Sequence, residues 1–102
     1  MNKFRAVKTD TEDGRFDSKM ELRRWYVLKD LEKAGEISGL LRQVSFTLNV
    51  NGRKLGKYVA DFTYTRDGKE VVEDVKGVLT PLYRWKKKHL KAEYGISILE
   101  TR

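Results

Sequence analysis

Asp67-Gly68 constrains this chain more than any other dipeptide, because it fixes which residues of two neighbouring strands face each other. Asp-Gly between strand-like runs favours a two-residue hairpin loop with φ above zero at both central positions, so Arg66 is predicted to pair with Lys69. Counting outward, Asp61 falls directly opposite Asp74. Two carboxylates placed so on one sheet face lie about 4.5 to 5.5 Å apart and destabilise the sheet unless something positive sits between them. A divalent cation meets that need. Side chains at i and i+2 share a face, so Lys76 points the same way as Asp74, whereas Glu73 points away and is the weaker candidate ligand. On the first strand Tyr58, Ala60, Phe62 and Tyr64 are predicted to form one packed face, leaving Asp61 with Val59 and Thr63 on the other.

At 102 residues the chain has room for one core and not for a second. Its 22 basic and 15 acidic residues give a net charge of +7, which suits a polyanionic partner such as nucleic acid. The absence of cysteine excludes disulfides, thiolate metal sites and a cysteine nucleophile, and a single histidine excludes a histidine-rich cluster, so any metal must be held by oxygen. No apolar run approaches the length of a signal-peptide core or a membrane span, so the expectation is a cytoplasmic protein without a membrane partner.

Along the chain, residues 1–16 lack periodicity and are predicted to be a basic N-terminal arm or loose lead-in to a single domain over 17–102. Ser18 and Glu21 have capping-box spacing at the start of a helix that Gly35 ends. Met20, Val27, Leu28 and Leu31 cluster on its wheel, with Glu21 at the rim of that face. Val44, Phe46, Leu48 and Val50 alternate with polar residues as a strand, and Asn51-Gly52 makes a second hairpin turn. A two-residue loop there would set even-numbered core residues against odd-numbered ones. A bulge or longer loop is therefore needed, with Gly56 the expected place, and it brings Gln43 close to Asp61. Thr80-Pro81 opens a second helix over 81–94 and Gly95 stops it. Its wheel separates Leu82, Tyr83, Leu90 and Tyr94 from Arg84, Lys87, Lys88 and Lys91. Ile96, Ile98 and Leu99 close the chain as a short strand, giving the order helix, three strands, helix, strand.

Phe16-Asp17-Ser18-Lys19-Met20-Glu21, Gln43, Tyr58-Val59-Ala60-Asp61-Phe62 and Val72-Glu73-Asp74-Val75-Lys76-Gly77 together resemble a small phage-encoded family of the PD-(D/E)XK nuclease superfamily, close to phage Holliday junction resolvases. The resemblance spans roughly residues 14–100 and implies an α/β, restriction-endonuclease-like αβββαβ core, with a mixed central sheet flanked by helices. It implies a catalytic set of Glu21, Asp61, Asp74 and Lys76. Asp61, Asp74, the Val75 backbone carbonyl and Glu21 would hold Mg²⁺, or Mn²⁺ in its place, with Gln43 auxiliary. Ala60 stands where proline is common in the superfamily. The implied activity is metal-dependent phosphodiester hydrolysis in branched DNA by a homodimer, in the host bacterial cytoplasm if the chain is phage-encoded, with no small-molecule cofactor.

Arg84, Lys87, Lys88 and Lys91, with Arg23, Arg24, Lys3, Arg5 and Lys8, are the expected phosphate contacts, and no base-reading motif accompanies them. Plainer alternatives stand beside several of these assignments. Glu21 is also the natural partner of Ser18 in a capping box, the Lys86-Lys87-Lys88 run also suits a solvated face, and salt bridges from Lys76 and Arg42 would also neutralise the aspartates. Trp25 and Trp85 suit core or interface, and His89 has no partner identifiable from sequence. A nicking or transposon-end nuclease, or a non-catalytic nucleic-acid-binding accessory protein on the same fold, is the alternative function.

Overall fold

The computed structural model describes residues 9–11, 14–16, 18–76 and 79–102. Among these residues it is a mixed α/β domain of six strands and two helices: β1 (Thr9–Thr11), β2 (Gly14–Phe16), α1 (Lys19–Lys33), β3 (Ser38–Val50), β4 (Arg53–Arg66), β5 (Lys69–Val75), α2 (Pro81–Tyr94) and β6 (Leu99–Thr101). The main sheet has the order β3-β4-β5-β6, antiparallel except for the parallel β5–β6 pair. From α1 onward this is the αβββαβ order expected from the sequence. Within the expected lead-in, β1 and β2 pair antiparallel, and Phe16 is fully buried. Three-residue strands are too short to show periodicity, which is why the pairing escapes a pattern search.

Both hairpin turns take the predicted form. Asp67 and Gly68 have φ of 52° and 75°, and the β4–β5 ladder runs from Arg66–Lys69 to Phe62–Glu73, the register that sets Asp61 opposite Asp74. At the other turn, Asn51 and Gly52 have φ of 51° and 76°. The register slips by one between Leu48–Gly56 and Asn49–Lys54, leaving Leu55 as the extra residue beside the expected Gly56.

The helix ends follow from their cap residues. Ser18 accepts the Glu21 N–H at 3.1 Å, and a Schellman motif closes α1, with Gly35 N–H donating to Glu32 O and Glu36 N–H to Leu31 O. Thr80 caps α2 by accepting the Tyr83 N–H at 3.1 Å, and left-handed Gly95 (φ 72°) ends it. Two expectations about faces are corrected. Glu21 is not at the rim of α1 but buried, while Val27 is exposed, and on α2 Tyr83 and Leu90 are buried whereas Leu82 and Tyr94 are exposed. A wheel scores apolarity, and α1 spends its inward face on an acid. The last strand begins at Leu99, with Ile96 and Ile98 packed into the core before it.

Tyr58, Ala60, Phe62 and Tyr64 are all buried, but they do not form one face. Tyr58 and Ala60 pack with Leu48, Val72, Leu90 and Ile98 under α2, whereas Phe62 and Tyr64 pack with Leu28 and Ile37 under α1. The change of side falls at Asp61 and at Gln43, which lies between the paired Arg42–Phe62 and Val44–Ala60. Gln43 has a φ of 55°, and a left-handed residue inside a strand rotates the pleat as a bulge does. Asp61 thereby sits where the two cores meet, within reach of groups from both helices. Each fully buried Leu or Phe contributes about 1.5–3 kcal/mol to holding that junction.

Candidate active site

Among the described residues of this basic chain four carboxylates are buried: Glu21, Asp61, Glu73 and Asp74 are each at most 1 % exposed. Acidic side chains are almost never fully buried unless paired, so each requires partners. Asp61 receives the Val75 N–H on Oδ2 at 2.9 Å, which ties β4 to the end of β5. Gln43 Nε2 donates to Glu21 Oε2 at 3.1 Å and reaches Asp61 Oδ1 at 3.5 Å. Arg42 Nη2 stands 3.7 Å from Glu21 Oε2, its guanidinium stacked 3.9 Å over the Phe16 ring. Asp74 Oδ2 accepts the Tyr58 hydroxyl and pairs with Lys76 Nζ at 3.2 Å. The Lys76 salt bridge allowed by the sequence is therefore formed, and Arg42 stands beside Glu21.

The structure thus brings together Glu21, Gln43, Asp61, Asp74 and Lys76. It does not gather three acids into one cluster: among the described residues no group of three or more histidine, cysteine, aspartate or glutamate side chains is close enough to hold a metal ion. The Gln43 amide donates toward both Glu21 and Asp61 and so links the helix acid to the strand acid. Glu73 points away from Asp74 as expected and belongs to a different network. Arg24 Nε and Nη2 grip it at 2.7 and 3.1 Å, and Tyr64 and Thr101 donate to it at 2.6 and 3.0 Å.

That network commits Nε and Nη2 of Arg24, one of the expected phosphate contacts, to a buried carboxylate. Lys87 is likewise paired, to Glu100 at 3.0 Å. Arg23, Arg84, Lys88 and Lys91 remain exposed, and Lys3, Arg5 and Lys8 lie outside the described residues. Trp25 stacks on Phe62 as a core residue, whereas Trp85 is exposed. His89 does have partners: its Nε2 lies 3.0 Å from Asn49 O, beside Glu93, which receives the Asn49 backbone and side-chain N–H groups. These contacts clasp α2 to the outer edge of β3. Sequence reasoning missed Tyr58, whose place in a core run concealed a hydroxyl aimed at Asp74, and the left-handed Gln43.

Burial and the neighbouring Asp61 push the Asp74 carboxyl up to about 7, against the opposing pull of Lys76 and the Tyr58 hydroxyl. The Tyr58 hydroxyl is itself pushed up by burial and by Asp74, so it stays a donor. A carboxyl that holds its proton more tightly folded than unfolded stabilises the fold below its unfolded pKa, and that contribution is lost as pH rises through the folded value. Without divalent cations, the wild-type melting temperature is therefore expected to fall, relative to Asp74→Asn, between about pH 4 and about pH 7. A pH-independent gap between the two proteins would contradict the shift.

A mixed α/β domain with buried acids at the end of a central strand is the class that fold and site define. The chain belongs to the family described as Protein of unknown function (DUF1064), whose model matches residues 1–99 and so takes in the paired β1 and β2. No curated protein matches the chain. Among the described residues no helix is long and apolar enough to cross a membrane.

Proposed function

We propose that this protein is a divalent-cation-dependent DNA endonuclease that hydrolyses phosphodiester bonds in branched DNA, four-way junctions foremost. The observation that carries this reading is the burial of Asp61 and Asp74 side by side, with Lys76 against them, in a chain of net charge +7. Such a pair opposes folding through repulsion and desolvation, a cost that binding an ion would offset. The two carboxylates and the Val75 carbonyl are hard oxygen donors of the kind Mg²⁺ and Mn²⁺ accept. When bound, such an ion lowers the pKa of a coordinated water and neutralises charge on the phosphate.

The chain's own residues do the rest. The Val75 N–H orients the Asp61 carboxylate before substrate arrives. Lys76 places a positive charge beside Asp74, where it donates to phosphate oxygens as negative charge builds. Gln43 spaces Glu21 from Asp61, and its φ of 55° is the kind of backbone strain that collects at functional sites. Exposed Arg23, Arg84, Lys88 and Lys91 bind phosphates without reading bases, which favours recognition by shape. Paired incision across a junction requires two such sites, so the working unit is a homodimer acting on cytoplasmic DNA.

The test is incubation with matched four-way junction, flap, nicked and linear DNAs, in Mg²⁺ or EDTA, with the mass measured by light scattering. Symmetric nicking of the junction in Mg²⁺ alone, by a species of twice 11.9 kDa, is expected. Equal cutting of linear duplex would overturn branch selectivity. Binding without cleavage in Mg²⁺ and Mn²⁺ would favour the non-catalytic accessory protein.

A further inference from the structure

Tyr83 and Glu100 have no task in the chemistry above, yet they form a continuous path of contacts to Lys76. The Lys76 ammonium, 3.2 Å from Asp74 Oδ2, also lies 3.8 Å from the centroid of the Tyr83 ring. An aromatic face attracts a cation through its quadrupole, more strongly where water is excluded. Tyr83 is buried, its ring 6.4 Å from that of Tyr58, so its position is set by the core. Its hydroxyl donates to Glu100 Oε2 at 2.6 Å, and the same oxygen receives Lys87 Nζ at 3.0 Å. Glu100 is the parallel-strand partner of Asp74, so one strand register places both the acid of the site and the carboxylate that grips Tyr83.

The path matters because a divalent ion and the Lys76 ammonium would compete for one carboxylate. A lysine released from its ion pair regains rotamer freedom. An uncharged ring is not subject to that competition. We propose that Tyr83, anchored by Glu100, is the positioning residue of Lys76, its ring face keeping the ammonium at the site when the ion engages Asp74. This rests on the nuclease reading for its purpose but not for its test.

In the full-length protein labelled with ¹³C at lysine Cε, the Lys76 ε-protons are expected upfield of the other lysines, shifted by the ring current, with and without saturating Mg²⁺. The shift is expected to persist in Tyr83→Phe and to collapse in Tyr83→Met. In cleavage assays Tyr83→Met is expected to lower kcat about tenfold with KM within about twofold, and Phe at this position to restore kcat to within about threefold. An unshifted Lys76 in the wild type, or a shift that vanishes in Mg²⁺, overturns the proposal. So does a Tyr83→Phe enzyme as slow as Tyr83→Met when both melt like the wild type. Should Tyr83→Met not fold, the wild-type resonance alone decides. A wild type that cuts no DNA but shows the shifted lysine defeats the nuclease reading and leaves the placement of Lys76 standing.

Discussion

Asp74→Asn is expected to abolish cation-dependent DNA cleavage, by at least about a thousandfold, while yielding a protein more stable than the wild type at pH 8 in the absence of metal. Both effects have one cause. Burial, and then the neighbouring Asp61, hold the proton-binding range of the Asp74 carboxyl up at about 7, and ionising it costs folding free energy that only an opposite charge offsets. Asparagine keeps an oxygen for the Tyr58 hydroxyl and the Lys76 ammonium but carries no charge for a divalent ion to bind. The gain in apo stability is expected to be about 1 kcal/mol or more, since each pKa unit corresponds to about 1.4 kcal/mol. Initial cleavage rates and melts in EDTA at pH 8 check the two halves. A variant that still cuts within tenfold of the wild type would remove Asp74 from the chemistry, and one that melts lower would remove the repulsion.

Arg24→Met is expected to cost about 3–5 kcal/mol, enough to consume much of the stability of a domain this size. The arginine places two donors on Glu73, which is 0 % exposed, and without it the carboxylate keeps the Tyr64 and Thr101 hydroxyls but has lost its countercharge. The same contacts join α1, β4, β5 and β6, so the loss is global. Adding Glu73→Gln should recover a large part of it, because the amide still accepts from Tyr64 and brings no buried charge. Urea titration at an unchanged slope reads both. A loss below about 1 kcal/mol for Arg24→Met would mean the two hydroxyls suffice.

Where local chemistry decides geometry, the sequence was informative. Asp67-Gly68 determined a register from which the Asp61–Asp74 juxtaposition followed, and the mismatch between even and odd core residues demanded the bulge found at Leu55. Thr80-Pro81 and Gly95 bounded α2 because caps act within a single turn. What escaped depends on tertiary context. Nothing in its neighbours marks Gln43 as left-handed, so the switch that divides Tyr58 and Ala60 from Phe62 and Tyr64 is invisible to parity. Glu21 was recognisable as a cap partner and a site candidate, but not as the centre of a buried helix face. Arg24 looked like any surface arginine until Glu73, far along the chain, claimed it. Tyr58 and Tyr83 read as core aromatics, which they are, with hydroxyls and ring faces that serve the site as well.

The central claim is that Asp61 and Asp74 hold a divalent cation, and calorimetric titration of the full-length protein with Mn²⁺ at pH 8 tests it without reference to any substrate. Saturable binding is predicted in the wild type, accompanied by a rise in melting temperature, weaker at pH 5 where Asp74 is protonated, and lost in both Asp61→Asn and Asp74→Asn. No saturable Mn²⁺ binding by the folded wild type, or binding that survives both substitutions, would contradict it.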